Sequence, residues 1–159
     1  MKRLLAGLSL ARLSLLSVLL LPQLSWGQAS AALLERLKFT SVELLIYTDQ
    51  LQRFERTACS DTVVSNYTLG SAKQKLLSQL NPEHRAEFEQ LFGSEQIAQL
   101  LRENKAGVES MLGPQRLLGG DKNLDEQQRA ACRELGEVFQ NNYLQTRQDL
   151  QQLFDQYRN

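Results

Sequence analysis

One histidine, two cysteines and three prolines in 159 residues leave little of the material from which recognisable chemical sites are built. A zinc or copper centre draws on several His and Cys ligands, and His84 with Cys59 and Cys132 cannot supply one. A Ser-His-acid triad would have to pass through His84, and no serine stands in the context of a nucleophile elbow. The nine glycines form no phosphate-cradling loop. Neither a metal nor any other cofactor is therefore expected. Eighteen basic residues balance eighteen acidic ones, with no concentrated basic footprint, which argues against a nucleic-acid partner. The few prolines, Pro22, Pro82 and Pro114, lie far apart and leave long stretches open to helix.

What is present begins with an export signal. Met1, Lys2 and Arg3 form a short positive start, Leu13 to Leu21 is an apolar run broken only by serines, and Pro22 closes it before small residues appear. Ala29-Ser30-Ala31 offers a cleavage site, with Ser25-Trp26-Gly27 as a second. A membrane span needs about 20 predominantly apolar residues, and Arg12 interrupts the run, so residues 1–31 are expected to be a cleaved signal peptide. No cysteine follows the run until Cys59, which excludes a lipoprotein anchor. The mature part, residues 32–159, is expected to be a single soluble domain in the periplasm or outside the cell, with no stable membrane anchor. Loss of Lys2, Arg3 and Arg12 leaves it 15 basic against 18 acidic residues, a net charge near −3.

In an oxidising compartment the two cysteines have one intramolecular pairing, Cys59 with Cys132. That bridge would close a loop of about 74 residues, for which the chain-entropy estimate is ~4 kcal/mol. It also acts as a ruler. Leu37, Leu44, Leu51 and Ala58 recur every seven residues in a first long helical pattern, residues 32–59. Leu135, Val138, Phe139, Tyr143, Thr146, Leu150 and Leu153 mark a second, residues 124–157. Cys59 ends the first and Cys132 lies near the start of the last. The expected fold is therefore all-α: an antiparallel helical bundle of these two long helices, linked by a disulfide, with about three shorter helices between them.

The short helices are punctuated locally. Gly70 should end any extension of the first helix and Ser71 should cap a helix through Leu80. Asn81-Pro82-Glu83 places a cap, a proline at the first position and an acid in the first turn. Gly93 stops that helix and Ser94 caps the next, which runs to Leu112. Asp121 or Asn123 should cap the last helix. The same stretch begins like a calcium loop, but Glu126 stands where glycine is needed and Cys132 where an acid belongs.

The connector between Gly113-Pro114 and Gly119-Gly120 carries Leu117 and Leu118, which either plug the end of the bundle or serve a mobile binding loop. Phe39 and Leu144 fall off the main seams and are expected on an exposed patch or a homodimer contact. Leu117, Leu118, Phe39 and Leu144 are thus the candidate partner-binding residues, and no catalytic residue is assigned. Two functions fit. The first is an exported non-enzymatic interaction protein, an adaptor, assembly helper or inhibitor, that binds a protein partner in a helical groove. The second is an exported all-α enzyme in which Arg36, Arg53, Arg56, Arg129 and Arg133, with Glu134, turn inward around a small anionic substrate.

Overall fold

The computed structural model describes residues 23–63, 68–119 and 122–158, with side chains from residue 31 onward. The described residues form five α-helices and one 3-10 turn, with no strand. The helices are α1 (Gln23–Phe54), α2 (Leu69–Leu77), α3 (Pro82–Phe92), α4 (Glu95–Leu112) and α5 (Glu126–Arg158), and the 3-10 turn is Ser60–Thr62. Cys59 and Cys132 are joined in a disulfide, both buried. None of the described helices is long and apolar enough to cross a membrane.

The first helix starts and stops earlier than its seven-residue repeat predicts. Residues 23–31, the end of the expected leader, already belong to α1, and residues 1–22 lie outside the described residues. At the other end the helix stops at Phe54 rather than Cys59. Thr57 Oγ1 donates to the Phe54 carbonyl at 2.7 Å, and Ala58 N–H donates across the fold to the Leu117 carbonyl at 3.1 Å. Ala58 therefore satisfies its backbone outside the helix while its side chain stays buried.

Capping chemistry sets the middle helices. Thr68, not Ser71, is the N-cap of α2: its side chain accepts from Ser71 N–H while the Ser71 hydroxyl accepts from Thr68 N–H. Gly70 consequently sits inside the first turn instead of ending a helix, and α2 stops at Leu77 rather than Leu80. Asn81 caps α3 by accepting from His84 N–H at 2.9 Å, with Pro82 following. Ser94 caps α4 through Ile97 N–H. The cap of α5 is Asp125, whose carboxylate accepts from Gln128 N–H at 2.8 Å while Gln128 Oε1 accepts from Asp125 N–H at 3.0 Å. Asn123 lies upstream of that pair, and Asp121 lies outside the described residues.

α1 packs chiefly against α5 and also against α4 and α2. Leu37, Leu45 and Phe54 of α1 are fully enclosed, as are Phe88, Leu112 and Phe154 from three other helices. The ring of Phe54 meets that of Phe139 edge-on at 5.4 Å, close to the bridge. Each such side chain removed from water contributes roughly 1.5–3 kcal/mol. Val138 is nearly half exposed: the buried stripe of α5 runs through Phe139, Tyr143, Thr146 and Leu150, and Val138 is turned one residue away from it.

The connector after α4 is a closed structure. Leu117 N–H donates to the Leu112 carbonyl and Arg116 N–H to the Gly113 carbonyl, the paired bonds of a Schellman termination. Arg116 occupies the left-handed position of that motif, with φ 58°. Leu117 follows as the apolar residue of the motif and is completely buried, so it plugs the core.

Candidate functional site

A groove of about 580 Å³ lies between α1 and the junction of α3 with α4. Phe39, Val42 and Ile46 form its α1 wall, spaced three and four residues apart and therefore on one helical face. Leu91, Ile97 and Leu100 form the other wall. Gly93 and Ser94 place them: one ends α3 and the other starts α4, so the last turn of one helix and the first turns of the next flank the same side of α1. Phe39 is 67% exposed although it is among the bulkiest apolar residues of the chain.

Polar links join α1 to α3 and to α4 on either side of the groove's apolar walls. On one side Lys38 Nζ lies 2.7 Å from Glu35 Oε1 and 2.6 Å from Glu87 Oε1, joining α1 to α3. The hydrogen bonds from Lys38 to Glu35 and to Glu87 raise its pKa above the ordinary lysine value. On the other side Asn104 of α4 donates from Nδ2 to Asp49 Oδ2 at 2.9 Å and accepts from Gln50 Nε2 at 2.8 Å. Asp49 is buried and is also paired with Arg53 at 2.7 Å. A buried carboxylate satisfied by an amide and a guanidinium is a specific tie, since losing one partner would strand the other groups.

Glu43 lines the same groove and is half-buried. Burial, followed by the charge of Asp149 on α5, raises its pKa above the usual carboxylate value. It makes no ion pair or hydrogen bond among the described residues.

The four residues singled out from sequence are dispersed. Phe39 is at the groove. Leu144 is 47% exposed on α5 and does not line it. Leu118 is 45% exposed beside a depression of about 170 Å³ that includes Arg53 and Arg56. Leu117, enclosed beneath Leu118, cannot touch a partner in this arrangement, because its burial is what closes the end of α4.

The inward arginine cluster is not assembled. Arg36, Arg56, Arg129 and Arg133 are exposed, as is Glu134, and Arg53 is engaged with Asp49. The helices turn these charges to solvent because their apolar stripes already fill the interior. His84 is half-buried with Nδ1 2.8 Å from Tyr157 Oη, tying the start of α3 to the end of α5. Among the described residues no three His, Cys, Asp or Glu side chains converge as metal ligands.

The groove residues other than Phe39 escaped the sequence reading, although a signal existed. Asn104 interrupts the otherwise apolar stripe Ile97, Leu101, Val108, and Asp49 is an acid beside the buried Leu45 and Thr48. Polar residues in two apolar stripes are the mark of a pair that meets. Compared with known protein families, characterised proteins and solved structures, the chain matches none.

Proposed function

We propose that the protein is an exported, non-enzymatic interaction protein, an antiparallel helical bundle tied by the Cys59–Cys132 bridge, which binds a protein partner in the α1/α3/α4 groove. The observation that carries this reading is the open apolar groove with Phe39 standing 67% exposed on its wall. An aromatic ring left in water forgoes a burial that a partner can supply, and aromatic side chains are frequent anchors of protein interfaces. Phe54 at the end of α1 meets Phe139 of α5, and Cys59, five residues further on, is bridged to Cys132, earlier on α5, which supports opposed directions for the two long helices. The bridge itself supports an oxidising location. The polar ties on either side of the groove favour a preformed site, in which binding does not have to order the walls.

A photo-crosslinking residue placed at position 39, and separately at exposed Gln148 on α5, tests this in the cell that makes the protein. The expected outcome is a covalent adduct with a second protein from position 39 and none from position 148. Binding of that protein, once purified, should be saturable and at least tenfold weaker for Phe39→Ser. Equal crosslinking from both positions, or binding indifferent to Phe39→Ser, would remove the groove from consideration.

A further inference from the structure

The charges lining the groove are unequal. Among the described lining residues Glu35 and Glu43 are acids and Lys38 is the one base, Glu87 reaches Lys38 from α3, and Asp149 adds its field next to Glu43. Lys38 is already held between Glu35 and Glu87, so it has no charge to spare for Glu43. A half-buried carboxylate beside a second acid, with no counter-ion, is a site whose desolvation cost a cation would offset. The apolar walls beside it demand burial at the same time. An anionic lipid or nucleic acid would be repelled by this rim, whereas a helix presenting apolar residues on one face and a cation at its edge satisfies both demands.

Resting on the reading of the groove as a docking surface, we propose that its occupant is a cationic amphipathic helix of a partner protein, seating apolar side chains between Ile46 and Leu100 and a lysine or arginine against Glu43. The groove follows α1 from Glu35 to Tyr47. At 1.5 Å per residue that span is ~18 Å, so the occupant needs about 12 helical residues, with anchors three and four apart.

The test uses the full chain with its bridge formed, at physiological salt, and three fluorescein-labelled helical peptides sharing one apolar pattern. The remaining positions are lysine in the first, glutamine in the second and glutamate in the third. The leucine/lysine peptide is expected to bind at least tenfold tighter than the leucine/glutamine peptide, with the leucine/glutamate peptide weakest. Glu43→Gln should weaken the lysine peptide about fivefold, the size of one partly screened ion pair, and leave the glutamine peptide unchanged. Glu134→Gln makes the same change in net charge on exposed α5 surface, 15 residues along the helix from Asp149, and should have no effect. Phe39→Ser should weaken every peptide.

If the glutamine peptide binds as tightly as the lysine peptide and both depend on Phe39, the docking surface stands and the cationic occupant is overturned. Equal losses in Glu43→Gln and Glu134→Gln would reduce the effect to general charge attraction and overturn it as well. Sedimentation showing a dimer that Phe39→Ser dissolves would assign the groove to a second copy of this chain. Failure of all three peptides to bind a monomeric protein would remove both the occupant and the docking surface.

Discussion

Gly107 and Gly136 each stand inside a long helix, and replacing each by alanine should have opposite consequences. In a helix interior alanine is favoured over glycine by about 1 kcal/mol. At Gly107, exposed on α4, an added Cβ meets nothing within 4 Å, so Gly107→Ala should gain most of that amount. At Gly136 on α5 the added carbon would lie 3.1 Å from Thr62 Oγ1, 3.3 Å from Phe54 Cε1 and 3.3 Å from Val63 Cγ1. Phe54 cannot easily yield: it is wholly buried and its ring is set edge-on against Phe139. Crowding in a packed core costs about 1–3 kcal/mol, which cancels or exceeds the helical gain. Gly107→Ala should therefore be more stable than Gly136→Ala by ~1–3 kcal/mol. Urea unfolding followed by circular dichroism, with the bridge intact, measures the difference directly. If Gly136→Ala stabilised as much as Gly107→Ala, the turn of residues 60–63 would not be seated against α5, and the packing described around the bridge would be wrong.

Three further outcomes are expected. Intact mass of the purified protein should rise by two hydrogens on reduction, and Cys59→Ala combined with Cys132→Ala should cost about 4 kcal/mol of stability, since the bridge spans a separation of 73 residues. Asn104→Leu removes the amide that serves Asp49 and Gln50 and should destabilise by about 1–3 kcal/mol in urea unfolding, whereas Asn104→Asp should be worse by setting two carboxylates together. For Glu43 burial lifts the folded pKa above the ordinary glutamate value of 4.5, so the folded state holds this proton more tightly than the unfolded chain. Its favourable contribution is then complete below 4.5 and is lost as pH rises through the folded value. Asp149 from α5 is the charge that acts on it, while Glu35 and Lys38 of α1 share its groove and are paired with each other. Stability of Glu43→Gln measured upward from pH 4.5 should accordingly decline less than that of the parent; identical profiles would show that Glu43 is fully solvated.

The boundaries that were legible from sequence are those written in backbone chemistry. Asn81-Pro82 and Ser94 mark their helices because a side-chain acceptor or a missing N–H acts within one turn, whatever the rest of the chain does. Thr68 was less legible, since Gly70 reads as a stop and is simply tolerated in an exposed first turn. The end of α1 was illegible: Ala58 leaves the helix for the Leu117 carbonyl, a partner 59 residues away. Leu117 and Leu118 look alike in sequence, and only the Schellman turn at Arg116 sends one inward and the other out.

Short-range pattern was therefore sufficient for an all-helical chain with long apolar stripes, and cysteine arithmetic for its one bridge, because helical periodicity and capping act over a few residues. The groove belongs to tertiary structure. Lys38 finds Glu87, Asp49 finds Asn104, and Glu43 comes to face Asp149 across separations that no local pattern encodes. Each helix has a face that prefers burial, but which faces meet, and which stretch beside Phe39 is left uncovered, depends on how all five helices fill one volume together.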